Sequence, residues 1–346
     1  MIERNQPLVS IIIAFYNEQE LLSRCLQSVR DQTHKNLEVV LINDGSTDHS
    51  VAIAEKFRSD FRLFKMISIE NSGHSEARNF GLKNASGEFL TFLDADDELE
   101  PEMVSVCLKK MLENDADLVI SMFTIFNQNG ISEMVSGWKA RNQNITKTKD
   151  LSYEMFNHGI SENVWAKLFK SNLAKQIVFE KGLWFDDRPF MFEYLFVADT
   201  VSFVKDSLLK IHKRNASITR RIIEPKRLID WHRVFELELK IVQKYGSDEV
   251  LKNKIAIHYL SVLMDNYLIQ IIEQKKVRDL KKVRKTFFEY LKKYCDIVKS
   301  EKIILGSKDK IILKLLLLPK FLGWNLANNL IEVLKRKRIS GLKKLK

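Results

Sequence analysis

The chain has 346 residues, of which 45% are apolar, 29% charged and 10% aromatic. That many aromatics can build a core, which excludes a largely disordered chain, and the length predicts either one large α/β domain with a helical appendage or two domains. The cysteines Cys25, Cys107 and Cys295 are odd in number and include no CxxC pair, so neither a disulfide scaffold nor a thiolate zinc site is expected. The start, MIERNQPLVSIIIAF, has no basic segment leading into an apolar stretch and a small-residue cleavage site. A signal peptide is therefore not expected, and the sequons at Asn84, Asn144 and Asn215 read as chance matches in a cytosolic protein.

The net charge of +11 is unevenly placed. Residues 301–346 carry twelve Lys/Arg against three acids, whereas residues 1–100 carry ten against seventeen. A nucleic-acid binder spreads its positive charge over the folded surface. An acidic half with a basic tail suits a metal site at one end and an anionic surface at the other.

In chain order, Leu8–Ala14 is an apolar, β-branched run of the kind buried on both faces of a sheet. Glu18–Arg30 then sets Leu21, Leu22, Cys25, Leu26 and Val29 on one helical face. Leu37–Ile42 is a second strand, followed by the turn Asn43–Asp48. A helix over Val51–Phe57 takes Ser46, Thr47 or Asp48 as its cap. Phe64–Ile69 is a third strand, Ser75–Asn84 a helix, and Glu88–Leu93 a fourth strand running into Asp94-Ala-Asp-Asp97. Met103–Leu112 is helical and Leu118–Phe123 a further strand. This order predicts a mostly parallel sheet covered by helices, with ligands beyond the carboxyl ends of its strands. Asp44, Asn71 and Asp94 each follow such an end, so they share a rim. Residues 127–160 read as a weakly patterned, flexible loop. From about 226 the pattern is helical and rich in Lys and Leu, and a boundary is expected near Glu224-Pro225.

Asp94, Asp96 and Asp97, directly after a buried strand, suit a hard divalent cation or a sugar hydroxyl. Acids in the first turn before Pro101 serve equally as a helix N-terminal cluster. The Asn43–Asp48 loop is a capping turn or a means of presenting the Asp44 carboxylate. Arg78, one turn into its helix, is a salt-bridge partner or a diphosphate ligand. No GxGxxG follows the first strand and no GxxxxGK[ST] occurs, so the dinucleotide and P-loop readings lack a phosphate cradle. Single histidines such as His74 and His158 read as structural or solvated.

Taken as an ordered set, AFYNE, INDGSTD, NSGHSEARNFGL and FLTFLDADDE resemble the family 2 glycosyltransferases of GT-A fold. The similarity is dense over residues 7–125 and continues through Asn163–Phe169, Phe185–Phe190 and Ser217–Thr219. The resemblance implies an α/β GT-A catalytic domain over 1–225, with a nucleotide-sugar half (1–125) and an acceptor half (126–225). A helical region (226–346) follows, with a basic amphipathic tail over 311–346. It implies that Ala14, Phe15, Tyr16 and Glu18 border the base and ribose, that Asp44 reads the base edge, and that Asn71 and Arg78 lie near the donor, Arg78 by its diphosphate. Asp94 and Asp96 would hold Mn2+ or Mg2+. Trp165 would bind substrate, and His212 and Arg214 would approach phosphate. Relatives use the second acid of a Glu-Asp pair as general base; here that is Asp187, with Asp186 as the alternate. The implied reaction is an inverting transfer from a nucleotide-sugar, UDP-linked by family expectation, to a hydroxyl of a glycan or lipid-linked glycan.

The tail alternates Ile, Leu, Phe321 and Trp324 with Lys and suits an anionic membrane surface, which predicts a cytoplasmic protein peripheral to the inner face. The competing explanations for the tail are helices packed on the rest of the protein or contact with a partner or acidic polymer. The competing functions are a catalytically silent nucleotide-sugar binder, a nucleotidyltransferase and a nucleic-acid binder. No nucleic-acid partner is expected, since no aromatic-basic platform is visible.

Overall fold

The computed structural model describes residues 6–127, 132–136, 151–156, 160–212, 224–268 and 279–305. The chain divides into two compact units, Met1–Ser217 and Ile218–Lys346.

The first unit is built on a nine-stranded sheet: β1 (Val9–Phe15), β2 (Leu37–Asn43), β3 (Leu63–Ser68), β4 (Phe89–Phe92), β5 (Glu98–Leu99), β6 (Leu118–Phe126), β7 (Ser132–Ser136), β8 (Lys167–Lys170) and β9 (Val201–His212). The spatial order is β3-β2-β1-β4-β8-β6-β9-β5, with β7 on β6. Helices α1 (Leu22–Arg30), α2 (Ser50–Lys56), α3 (His74–Asn84) and α4 (Met103–Glu113) connect the early strands, and α5 (Leu151–Phe156), α6 (Ser171–Ala174) and α7 (Asp187–Val197) follow. The first four strands in the spatial order are parallel, as the βαβ rhythm predicts. Beyond them the sheet is mixed: β8 inserts antiparallel between β4 and β6, while β6 and β9 run parallel.

β2 is buried over its whole length, and β1 over all but Ala14, which is half-buried, and that is why they read as unbroken apolar runs. Buried Glu38 in β2 breaks the run. Its carboxylate accepts from Ser10 Oγ, from the Ser86 N–H and Oγ at 2.6 Å each and from Lys65 Nζ at 2.6 Å. Burial works against its ionised form, but these donors prevail and hold the carboxyl down at about 2.

α1 begins at Leu22, later than its apolar face predicts, because the residues before it are laced to the loop after β2. The Glu18 N–H donates to Ser50 Oγ at 2.8 Å and the Gln19 N–H to Asp48 Oδ2 at 3.1 Å. The stretch expected to be a weakly patterned loop contains β7 and α5. β7 completes its ladder against β6, so it needs no strong apolar alternation of its own.

The second unit holds α8 (Pro225–Lys244), α9 (Glu249–Val262), a π-helical turn (Leu263–Leu268) and α10 (Leu280–Ser300). Pro225 opens α8, where its missing N–H costs nothing, and the Asp248 and Asp279 carboxylates cap α9 and α10 by accepting from Leu251 and Lys282. The unit's core repeats at helical spacing, with Leu228, Trp231 and Phe235 on α8, Ile255 and Tyr259 on α9, and Phe287, Leu291 and Tyr294 on α10. No helix among the described residues is long and apolar enough to cross a membrane. The tail 311–346 lies outside the described residues.

Candidate active site

The carboxyl ends of β1, β2 and β3 form one interlocked rim. The Asp44 N–H donates to the Phe15 carbonyl at 2.9 Å, joining the β2 loop to β1. Asn17, in the left-handed region at φ 53°, donates its N–H to Ser46 Oγ at 3.0 Å and accepts the Thr47 N–H at 2.8 Å. Asn43 Oδ1 accepts the Ser46 N–H at 2.8 Å, and its amide reaches Ser68 Oγ at 3.1 Å. Gly45 sits at φ 75°, and a Cβ there would meet the Asn71 backbone nitrogen at 2.8 Å, so only glycine lets the two loops approach.

Asp44 is 4% exposed. Its two oxygens accept the backbone N–H groups of Ser72 and Gly73 at 2.8 and 3.0 Å, at the N-terminus of α3, where donors lack partners of their own. Asp44 thus lies at the expected rim with both oxygens engaged by fixed backbone donors. Ala14 is half-buried in β1, Phe15 is buried, Tyr16 is exposed, Glu18 is half-buried and Asn71 is exposed.

The loop after β4 carries the acids. Ligand oxygens of Asp94, Asp96 and Asp97 lie within 4.8 Å of one another. Around them the Asp97 N–H closes onto the Asp94 carbonyl at 3.0 Å, and Arg24 donates to the Asp96 carbonyl at 2.9 Å. The buried Asp97 Oδ1 accepts the His212 N–H at 3.1 Å. The His212 ring bonds Glu98 at 2.6 Å and stacks on Phe126 with centroids 5.4 Å apart. Burial, with help from Arg24, holds the His212 imidazole below its ordinary pKa although Glu98 opposes this. His212 therefore stands beside the acid loop; Arg214 lies outside the described residues.

Arg78 joins this loop to the start of α7. One guanidinium nitrogen meets Asp94 Oδ1 at 3.0 Å; the other meets Asp187 Oδ1 at 2.5 Å and Asp186 Oδ1 at 3.4 Å. Residues far apart in the chain thus share one cation. His74, one turn before Arg78 on the same helix face, bonds Asp186 Oδ1 at 2.8 Å. The two adjacent acids differ in environment: the Asp186 side chain is 2% exposed and that of Asp187 19%. Burial disfavours ionised Asp186, but Arg78 and the His74 hydrogen bond outweigh it and keep this carboxyl low. At Asp187, burial prevails over Arg78, and the neighbouring Asp186 and Asp94 add to it, pushing the carboxyl up to about 6.

α7 is held from behind by aromatic packing. Phe190 stacks on Phe179 at 4.1 Å, and both meet Phe92 of β4 edge-on. The Tyr194 hydroxyl donates to the Asp117 carbonyl at 2.6 Å. On the other side of Asp187, its Oδ2 accepts the Val164 N–H at 3.2 Å. Trp165 follows at once, edge-on to Phe123 at 4.7 Å.

Asp97, part of the acid run that suits a cation but not among the ligands the resemblance implies, lies with Asp94 and Asp96. Two further residues escape a motif reading. His74, which reads as structural or solvated, is bonded to Asp186; the signal that places it there is the i, i+4 spacing to Arg78, which puts both on one face. Lys167 is a buried lysine in β8, visible in the sequence as a cation within the run Trp165–Phe169.

Residues 10–166 match the family model described as glycosyl transferase family 2. The glycosyltransferase GlyA of Streptococcus pneumoniae is 31% identical over 224 residues, 61% of this chain, and the match spans 31% of GlyA's own length. Among solved structures, residues 1–349 of S. aureus TarS with UDP-GlcNAc superpose with a TM-score of 0.71 at 21% identity, covering 89% of this chain and 86% of that one. The mannosyltransferase PcManGT of Pyrobaculum calidifontis, solved with GDP-Man and Mn2+, gives 0.52 at 14% identity, over 94% and 87%.

Proposed function

Because the chain belongs to the family 2 glycosyltransferases and has the GT-A fold, we propose that it moves a sugar from a nucleotide-sugar, UDP-linked in the first instance, to an acceptor hydroxyl, with inversion and with Asp187 as the base. The observation that carries this reading is the convergence of Asp94, Asp186 and Asp187 on Arg78.

The roles divide by environment. A carboxylate held up at about 6 and partly exposed is poised to take a proton near neutral pH. Asp186, deeply buried and doubly bonded, orients Arg78 and His74. Arg78 carries the positive charge that a diphosphate leaving group requires. A single base opposite the leaving group supports one direct displacement, hence inversion. The three close carboxylates of Asp94, Asp96 and Asp97 fit a hard divalent ion, Mn2+ or Mg2+. Bound there, such an ion would neutralise charge on the leaving diphosphate. Of the remaining candidates, Tyr16, Glu18 and Asn71 line the rim that would meet the nucleotide, and Asp44 supports it from below. Catalysis is assigned to residues 1–225; the helical region 226–346 and its basic tail would bring the protein to an anionic membrane face, where a lipid-linked glycan is the acceptor.

The test is nucleotide release from UDP-, GDP- and dTDP-sugars with Mn2+. Release from one donor class, abolished in Asp187→Asn with folding retained, is expected; release that survives Asp187→Asn would move the base elsewhere. For the tail, flotation with anionic liposomes should be lost on truncation near Lys310, and equal binding of both forms would defeat membrane attachment.

A further inference from the structure

The segment 160–166 has neither helix nor strand beyond a single bridge at Ile160, yet four successive residues in it are bonded alternately from β8 and α7. Lys167 Nζ donates to Ser161 Oγ at 2.8 Å. Arg188 pairs with Glu162 Oε2 at 2.7 Å. Lys167 donates again, to the Asn163 carbonyl at 2.5 Å. Asp187 Oδ2 then accepts the Val164 N–H. At the segment's end Ala166 is held at φ 57°, a costly conformation for a residue with a Cβ. Its carbonyl accepts from the Ser121 N–H at 3.0 Å and the Ser121 hydroxyl at 3.3 Å.

We propose that Lys167 and Arg188 are positioning residues: a pair of buried cations that fix residues 161–164 against Asp187 and so set the orientation of the base and of neighbouring Trp165. The inference rests on the reading of Asp187 as the base.

The chemistry favours this over a purely structural role for the lysine. Lys167 is 1% and Arg188 4% exposed, and burying an ammonium in a strand of the core is unfavourable unless its donors are used. An apolar residue would serve β8 better if packing were the whole purpose. Burial pushes the Lys167 amine down to about 7, with Asp187 and Glu162 opposing. Lys167 donates to the segment twice, once to a hydroxyl and once to a carbonyl. Arg188 follows Asp187 on the same turn of α7, so any shift of the segment pulls on the base and its neighbour together. Its guanidinium also lies over the Phe156 ring, 5.4 Å from the centroid, which keeps the fork aimed at Glu162.

The experiment uses the full chain, with Lys167→Met as the variant that keeps length but cannot donate, and Ser161→Ala as a milder one that leaves β8 untouched. The assay is nucleotide release from whichever of the UDP-, GDP- and dTDP-sugars the wild type hydrolyses fastest. For Lys167→Met, kcat is expected to fall about tenfold or more while donor KM stays within about twofold, since a small misplacement of a base costs turnover rather than donor binding. Ser161→Ala should show the same split at smaller amplitude. Amide hydrogen exchange over 160–166 should quicken in both variants. Wild-type kcat in Lys167→Met, a parallel fall of kcat and rise of KM, or unchanged exchange over 160–166 would overturn the clamp. Should the wild type release nucleotide from none of the donors, the transferase reading falls instead, and the exchange measurement still decides whether Lys167 holds the segment.

Discussion

The two sides of the candidate site satisfy their acids in different ways. On the β1–β3 side, Asp44 and Asp48 accept from backbone N–H groups of Ser72, Gly73, Gln19 and Ser50. On the β4–α7 side, Asp94, Asp186 and Asp187 share the side chain of Arg78, with His74 as second donor to Asp186. Backbone donors are fixed by the fold and make a scaffold. A side-chain cation has rotamers and can exchange one anion for another, so the acids it serves are free to take part in chemistry.

Substitutions should separate the two sides. The largest effect is expected at Asp187: Asn there should lower donor turnover by about 10³-fold, the range that general base catalysis contributes, with the melting temperature little changed. Next, Asp96→Asn should raise the Mn2+ needed for half-maximal turnover by about tenfold or more, and Asp97→Asn should do the same if the third carboxylate belongs to the set; a chelator should abolish turnover and added Mn2+ restore it. On the scaffold side, Asp44→Ala should act mainly on stability. It leaves two helix-terminal N–H groups without their acceptor and should cost about 2 kcal/mol or more in urea unfolding, an effect Asp94→Ala would not match.

Two pH measurements sharpen the contrast. As the proposed base Asp187 would act only when ionised, so turnover should fall as pH drops through about 6, while Asp187→Asn has no such limb to lose. Glu38, a scaffold acid, is held at about 2 against an ordinary value of 4.5. Its stabilising contribution is complete above 4.5 and is lost as pH falls toward 2. Glu38→Gln should therefore flatten the acid side of the stability profile and leave the activity profile near pH 6 unmoved.

Much of this architecture is legible in the sequence because it depends on local pattern. The runs that become β1, β2, β4 and β6 are apolar since both faces of those strands are covered, and the acids of Asp94–Asp97 follow a strand that could end nowhere else. Asp187 is legible through the resemblance of Phe185-Asp-Asp to a known motif. What the pattern hides is pairing across distance. β8 is four residues long and inserts antiparallel between β4 and β6, with nothing local to announce it. Nothing in the sequence pattern marks Lys167 and Arg188 as the buried cations that the fold makes them. The sequence offers Asp44 as a carboxylate presented by its loop, and its partners in the fold are backbone groups 28 and 29 positions away.

The contact at Gly45 bears on how such an enzyme can be altered by design. A side chain at position 45 would push against Asn71 and carry the Ser72 and Gly73 amides away from Asp44. Residues 43–45 and 71–73 therefore tolerate change only as a block. A library that varies one loop while keeping the other would break this contact, and under the proposed function a change of donor is better begun at Tyr16, which is exposed beside that lock.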